Sequence, residues 1–342
     1  GTNDQRRRGV QLRAPLVGRD GELAKLQTAV SGLRQRRGGL TFVVGAAGQG
    51  KSRLVRELRQ RHGSAVHWVK SRCLSYTESV SFWLFQDVLR RLLNVSRDAA
   101  QEAVRQQLEQ TLDDVLGVAA ADNRPFLANF LDLPLTSHEK NRLRYLDAEA
   151  VQRRTFVAWR ELLTSFAKQT PLLIALDDLQ WLDNASLNLL EFLLPLLEQW
   201  PILFVLQSRP DKRKGIWSLW ESARQTWSAH LTDIALEGLS EKDAQQLLFH
   251  LVPEVDWPTG MADLLLGRAE GNPLFLEEVL RALMNDGVLQ RLESGRWQVA
   301  EAGQTLAVPD TLEGVLQARL DRRSEPNRWT VQVASVIGRY FP

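Results

Sequence analysis

Eight consecutive residues, Gly45-Ala46-Ala47-Gly48-Gln49-Gly50-Lys51-Ser52, restrict this chain more than any other stretch. An apolar run from Leu40 to Val44 precedes them, and a helical pattern from Lys51 to about His62 follows. The spacing G-x4-G-K-[ST] between a strand and a helix describes a phosphate cradle. Glycines let the backbone curl so that successive N–H groups point inward at phosphate oxygens, at a helix N-terminus whose dipole favours negative charge. Lys51 is placed to reach the β- and γ-phosphates, the Ser52 hydroxyl to join a Mg2+ shell, and Arg53 follows directly. A chance glycine-rich turn is the competing reading, but it leaves the flanking strand and helix unexplained.

A second signal lies more than a hundred residues on. Leu172-Leu173-Ile174-Ala175-Leu176 is a continuous apolar run of the kind found in strands covered on both faces, and Asp177-Asp178 closes it. Magnesium dehydrates reluctantly, so one carboxylate there suffices to hold it, in part through water. Asp177 is expected to serve the metal. Asp178 points to the other side of the strand and is expected to polarise an attacking water, the alternative being that it only caps the loop.

Between and beyond these runs, strands and helices alternate. A helix is expected over 20–36 on the stripe Leu23, Leu26, Val30, Leu33, and a second β-rich run over 65–69. A mostly helical stretch follows from Phe82 to about Lys168, stopped or bent at 94–98, Pro125 and Pro134. A helix over 184–199 is interrupted by Pro195, and strands are expected at 202–206 and 231–236. Such alternation predicts a mostly parallel three-layer α/β sheet. After Gly238 the pattern turns to helices at 240–251, 261–269 and 273–286, then a hairpin over 288–300. Ser240 and Asp243 read as a capping pair for the first of these helices. The domain reading is therefore a tail at 1–14, an α/β nucleotide-binding domain at 15–239, a helical lid with a hairpin at 240–308, and a further unit beginning at 309–342.

Composition removes several classes. Forty-three Lys+Arg against 41 Asp+Glu leaves +2, so no global field points to nucleic acid or an anionic membrane. The longest stretch free of charged residues, Gly38 to Gly50, is shorter than the ~20 residues of a spanning helix. A single cysteine, Cys73, excludes an internal disulfide framework, suits the cytoplasm, and reads as a small buried residue rather than a nucleophile. The five histidines do not cluster as metal ligands. The first residue is Gly1 rather than Met, which reads as a piece of a longer chain with flanking domains. Arg6-Arg7-Arg8 and Lys212-Arg213-Lys214 read as solvated charge, not DNA contacts. Most of the 11 Trp residues read as core; Trp181 stands out by following the acidic strand so closely.

The string Leu176-Asp177-Asp178-Leu179-Gln180-Trp181-Leu182-Asp183-Asn184-Ala185-Ser186 resembles the hallmark of AAA-type P-loop ATPases of the STAND group (signal transduction ATPases with numerous domains). The resemblance is to the branch fused to bacterial transcription activators and adenylate cyclases, and runs from about Leu16 to the end. Leu16-Val17-Gly18-Arg19-Asp20-Gly21-Glu22-Leu23 is similar to that group's N-terminal motif beside the adenine. Gln207-Ser208-Arg209-Pro210 is similar to its sensor after the fourth strand, and Gly271-Asn272-Pro273 to its lid motif, whose proline packs on the base. The bland alternatives are a surface ion pair for Arg209, a surface charge for Arg19 and a plain helix start for Pro273.

The resemblance implies an ASCE/AAA-type fold with a helical lid and the start of a winged-helix-like unit near Val331 to Phe341. It further implies an ATP/ADP switch with Mg2+, off with ADP and self-associating with ATP, reset by slow hydrolysis and regulating an attached effector. Contact with nucleic acid or membrane is not expected from this segment. Two other readings stay open: a DNA-associated initiator or loader ATPase, and a nucleotide binder without hydrolysis.

Overall fold

The computed structural model describes residues 12, 14–63, 66–211, 215–292, 294 and 296–300, with isolated positions between 311 and 330. The Lys212–Lys214 run, nearly all of the N-terminal tail and the winged-helix-like stretch lie outside the described residues. The chain divides into two compact units. One comprises 21–45 and 54–235; the other comprises 1–20, 46–53 and 236–342.

The first of these units is built on a five-stranded parallel sheet. Its elements in order are α1 (Asp20–Arg34), β1 (Gly39–Gly45), α2 (Lys51–His62), β2 (His67–Arg72), α3 (Trp83–Leu92), α4 (Gln101–Leu116), α5 (Ala120–Phe130), α6 (Ser137–Arg144), α7 (Ala148–Gln169), β3 (Leu172–Asp177), α8 (Asn184–Leu193), β4 (Ile202–Ser208), α9 (Gly215–Thr226) and β5 (Leu231–Leu236). The strand order is β2-β3-β4-β1-β5. Every residue of β3 and β4 is buried, which is why both strands read as unbroken apolar runs rather than alternating ones. Leu172, Ile174, Leu176, Phe204 and Leu206 share one core with Phe85, Trp159 and Leu163 from the helices. The intervening Leu173, Ala175, Leu203 and Val205 are equally buried, so helices cover both faces. Parallel register aligns Leu176 with Leu206, and Phe42 with Leu206 in turn, so β1, β3 and β4 deliver their C-terminal residues to one edge.

Of the stop or bend expected at Pro125, the stop does not occur: the residue sits inside α5. A proline lacks the N–H that would bond the carbonyl four residues back, and Arg142 Nη1 donates to that carbonyl, Ala121 O, at 3.3 Å instead. The helix over 184–199 is interrupted at Pro195 as expected: α8 ends at Leu193, and Leu194–Glu198 continues as a tighter 3-10 turn.

A buried acid ties this unit together. Asp87 on α3 accepts from Ser71 Oγ on β2 at 2.5 Å, from Arg91 Nε at 2.8 Å and from Arg97 Nε at 2.5 Å. Burial pushes its carboxyl up, but the bonds from Arg97, Arg91 and Ser71 outweigh burial and hold it below the usual carboxylate range. A lowered folded-state value means stability that is full above the unfolded value and lost as pH falls through the folded one. Asp87→Asn is therefore expected to cost roughly 2 kcal/mol at pH 7, a discount on the ~3–5 kcal/mol of a fully buried pair because both arginines are partly exposed. Urea denaturation should show the gap closing below about pH 4; a gap that persists at low pH would contradict this.

In the other unit, α10 (Glu241–Leu251), α11 (Met261–Ala269), α12 (Pro273–Asn285) and the antiparallel hairpin of β6 (Leu289–Arg291) and β7 (Trp297–Val299) follow. Leu247, Leu251, Leu265, Phe275, Val279, Leu280 and Trp297 form its core, and Val17 and Leu239 join the same cluster. Ser240 caps α10, its Oγ accepting from Asp243 N at 3.1 Å, as the sequence predicts.

Candidate functional site

Residues 46–53, the glycine-rich loop and the first turn of α2, belong to the unit that carries α10–α12. Gly48 and Gly50 take φ of +84° and +89°, where L side chains are strained, so the loop needs glycine at both positions. The loop opens onto the N-terminus of α2, whose first turn carries no acidic residue to complement the dipole. The Lys51 ammonium is buried and donates to Ala46 O at 3.0 Å. Arg53 Nη2 donates to Ala14 O at 2.9 Å.

Val17, Gly18 and Arg19 lie in the same unit. Arg19 is buried, not a surface charge, and its Nη2 donates to Glu237 O. Gly18, at φ +63°, lies so near Asp243 that a Cβ would sit 2.6 Å from Asp243 Cγ. Pro273 occupies the first turn of α12, and Asn272 caps that helix.

The acidic pair lies in the sheet unit. Asp177 ends β3, and its carbonyl accepts from Cys73 N at 2.9 Å. Its carboxylate is buried, with Lys70 Nζ of β2 at 3.8 Å from Oδ2. Asp178 adopts a left-handed φ of 56° as the strand turns away. Its Oδ2 is paired with the Arg72 guanidinium, and its Oδ1 accepts from Gln180 Nε2 at 3.1 Å. Gln180 Oε1 in turn accepts from Arg209 N at 3.3 Å, so one buried amide links the acidic strand to the loop after β4. The Arg209 side chain itself is exposed. Cys73 is buried; burial first, then the charges of Asp183, Asp178 and Asp177, push its thiol well up, which suits core packing and not nucleophilic chemistry. Trp181 is partly buried against the main core.

Sequence reasoning did not single out Lys70, Arg72, Gln180, Asn272 or Gln207. Gln207 is fully buried near the end of β4, in register with Val43, and neither its Nε2 nor its Oε1 has a hydrogen-bond partner among the described residues. The pairing of Leu176 with Leu206 sets Asp177 and Gln207 on one face of the sheet. A buried amide without partners carries a desolvation cost of about 1–3 kcal/mol. Gln207→Leu is therefore expected to raise the stability of the nucleotide-free chain by about 1 kcal/mol, seen as a higher urea midpoint. A lower midpoint would show that the amide is already satisfied.

The glycine loop, with its positive φ at Gly48 and Gly50 and the buried Lys51, is of the kind that fits nucleotide phosphates. In the sheet unit, Asp177 is a buried carboxylate, an oxygen ligand of the kind that suits Mg2+. Among the described residues no group of three His, Cys, Asp or Glu side chains could hold a metal. No helix among the described residues is long and apolar enough to cross a membrane.

Known proteins resemble the chain at several levels. A protein of uncharacterised function from Rhizobium meliloti is 26% identical over 343 residues, covering 96% of this chain and 30% of its own length. The chain thus spans under a third of that curated relative. Among solved structures, Cdc6p from Pyrobaculum aerophilum has a TM-score of 0.47 at 13% identity, covering 81% of this chain and 65% of that one. ORC1 from Aeropyrum pernix, solved in complex with DNA, has 0.46 at 14%, covering 91% and 66%. A STAND protein with a tetratricopeptide repeat sensor from Pyrococcus horikoshii has 0.44 at 13%, covering 91% and 34%. The AAA ATPase domain family matches residues 15–205, more than half of the 342. The chain belongs to the AAA ATPase domain family.

Proposed function

We propose that the chain is an ATP-binding, slowly hydrolysing switch module, resting with ADP and self-associating with ATP to regulate attached effector and sensor domains. The observation that carries the reading is the glycine loop with its buried Lys51 at the start of α2. In this reading the loop amides and Lys51 hold the phosphates, and Ser52 and Asp177 hold Mg2+. The ion, when bound, neutralises charge on the β- and γ-phosphates. Val17, Gly18 and Arg19 flank the adenine, Pro273 packs on it, Asp178 orients the attacking water and Arg209 senses the γ-phosphate.

The lid is 240–308, hinged near Leu239. ATP can drive such a switch only if the two arrangements bind it with different affinity. The +2 net charge favours this reading over a DNA-associated ATPase.

The test is to denature the purified chain, identify released nucleotide by chromatography, and then follow phosphate release from Mg2+-ATP with and without duplex DNA. Released ADP and DNA-independent turnover support the switch. Turnover that requires DNA would favour the initiator-type reading; an empty chain with no affinity for ATP would end both.

A further inference from the structure

One side chain joins the phosphate-binding loop to a helix far along the sequence. Asn272 Oδ1 accepts from Leu274 N at 3.1 Å and Phe275 N at 3.4 Å, capping α12. Its Nδ2 donates at 3.1 Å to Ala47 O, 225 residues away and inside the glycine loop. Its backbone leaves it little freedom: Asn272 N donates to Ala269 O at 2.7 Å, and the preceding Gly271 O accepts from Leu239 N at 2.8 Å. The fit against the loop is close as well. A Cβ on Gly48 would collide with the Asn272 carboxamide, so glycine there serves this contact besides its positive φ.

The bond to Ala47 O has a directional consequence. The peptide bonds are trans, so the Ala47 carbonyl and the Gly48 N–H point in opposite directions. Holding that carbonyl toward Asn272 turns the Gly48 N–H away from α12. A phosphate cradle needs its amides fixed before the anion arrives, since ordering them on binding would subtract from affinity.

We infer that Asn272 is a positioning residue of the phosphate-binding loop: its amide nitrogen sets the direction of the Gly48 N–H while its oxygen caps α12. Occupancy of the loop by nucleotide phosphates and order at the start of α12 are thereby coupled through one carboxamide. Of the favoured capping residues Ser, Thr, Asp and Asn, Asn alone carries an N–H2 at the far end of the side chain. The inference rests on the nucleotide-binding reading above and adds a residue and a coupling to it.

The test uses Asn272→Ser and Asn272→Asp in the full chain, because both replacements cap helices well, the serine hydroxyl is too short to reach Ala47 O from the Nδ2 position and the carboxylate has no donor. Calorimetric titration with Mg2+-ATP and Mg2+-ADP is paired with thermal unfolding without nucleotide. The nucleotide-free midpoint should stay close to wild type. Affinity for both nucleotides should fall about tenfold for the serine variant, the loss of one hydrogen bond. It should fall further for the aspartate variant, whose carboxylate faces a carbonyl beside an anion site. Hydrogen exchange should show ATP protecting the amides of Leu274–Leu276 in wild type and not in the serine variant. Wild-type affinity in either variant overturns the inference, as does a loss matched by a lowered nucleotide-free midpoint, which would leave Asn272 a helix cap. Absence of binding by the wild type removes the nucleotide reading together with this one, whereas binding matched by the variants removes this one alone.

Discussion

Lys51→Ala should lower the affinity for ATP about 100-fold, equivalent to ~2.7 kcal/mol. The ammonium is buried and held by a carbonyl of its own loop, Ala46 O, at 3.0 Å. A charge-assisted bond from a desolvated group is worth about 1.5–3 kcal/mol, and a lysine that serves two phosphates contributes toward the upper end. Alanine removes both the charge and the tie to Ala46, so Lys51→Met, which keeps the stem, should be measured beside it. Isothermal titration with Mg2+-ATP distinguishes the outcomes. If both variants bind within threefold of wild type, Lys51 holds the loop and not the ligand. If only the alanine variant loses affinity, the stem rather than the charge is responsible.

Asp178→Asn should leave ATP binding within a fewfold of wild type and cut single-turnover phosphate release at least 100-fold. Removing a positioned general base typically costs about 10²–10⁴. Both oxygens of Asp178 are held, Oδ2 by Arg72 and Oδ1 by Gln180, which fixes the carboxylate while Oδ1 keeps a second lone pair that can accept from a water. An asparagine keeps an acceptor for Arg72 but turns an N–H2 toward the Gln180 amide. Gln180 would then have to flip, which disturbs its bond to Arg209 N. Rapid-quench measurement of the variant at normal rate would move the water-orienting role to another residue.

What could be read from the chain alone was whatever is local. The glycine loop is a local conformational demand, and positive φ at Gly48 and Gly50 meets it. The runs of β3 and β4 were legible because strands covered on both faces leave no polar positions. The Ser240 cap was legible because its partner is three residues away. That α5 runs on through Pro125 is not legible for the opposite reason: its missing bond is replaced by Arg142, on another helix. The pair of Arg72 with Asp178 spans 106 residues and that of Asn272 with Ala47 spans 225. A single sequence has no periodicity that marks such partners. Gln207 lies beside Arg209 in the same stretch, but its burial without partners is a property of the packed sheet and not of the sequence.

Cys73 offers a practical handle. The chain's lone sulfhydryl sits one residue past β2, shielded from solvent, with its backbone tied to the carbonyl of Asp177. Alkylating reagents attack thiolates, and this thiol resists ionising while folded. Its labelling rate is therefore a clock for transient opening of the acid-bearing end of the sheet, readable by mass spectrometry on the native chain without engineering a probe.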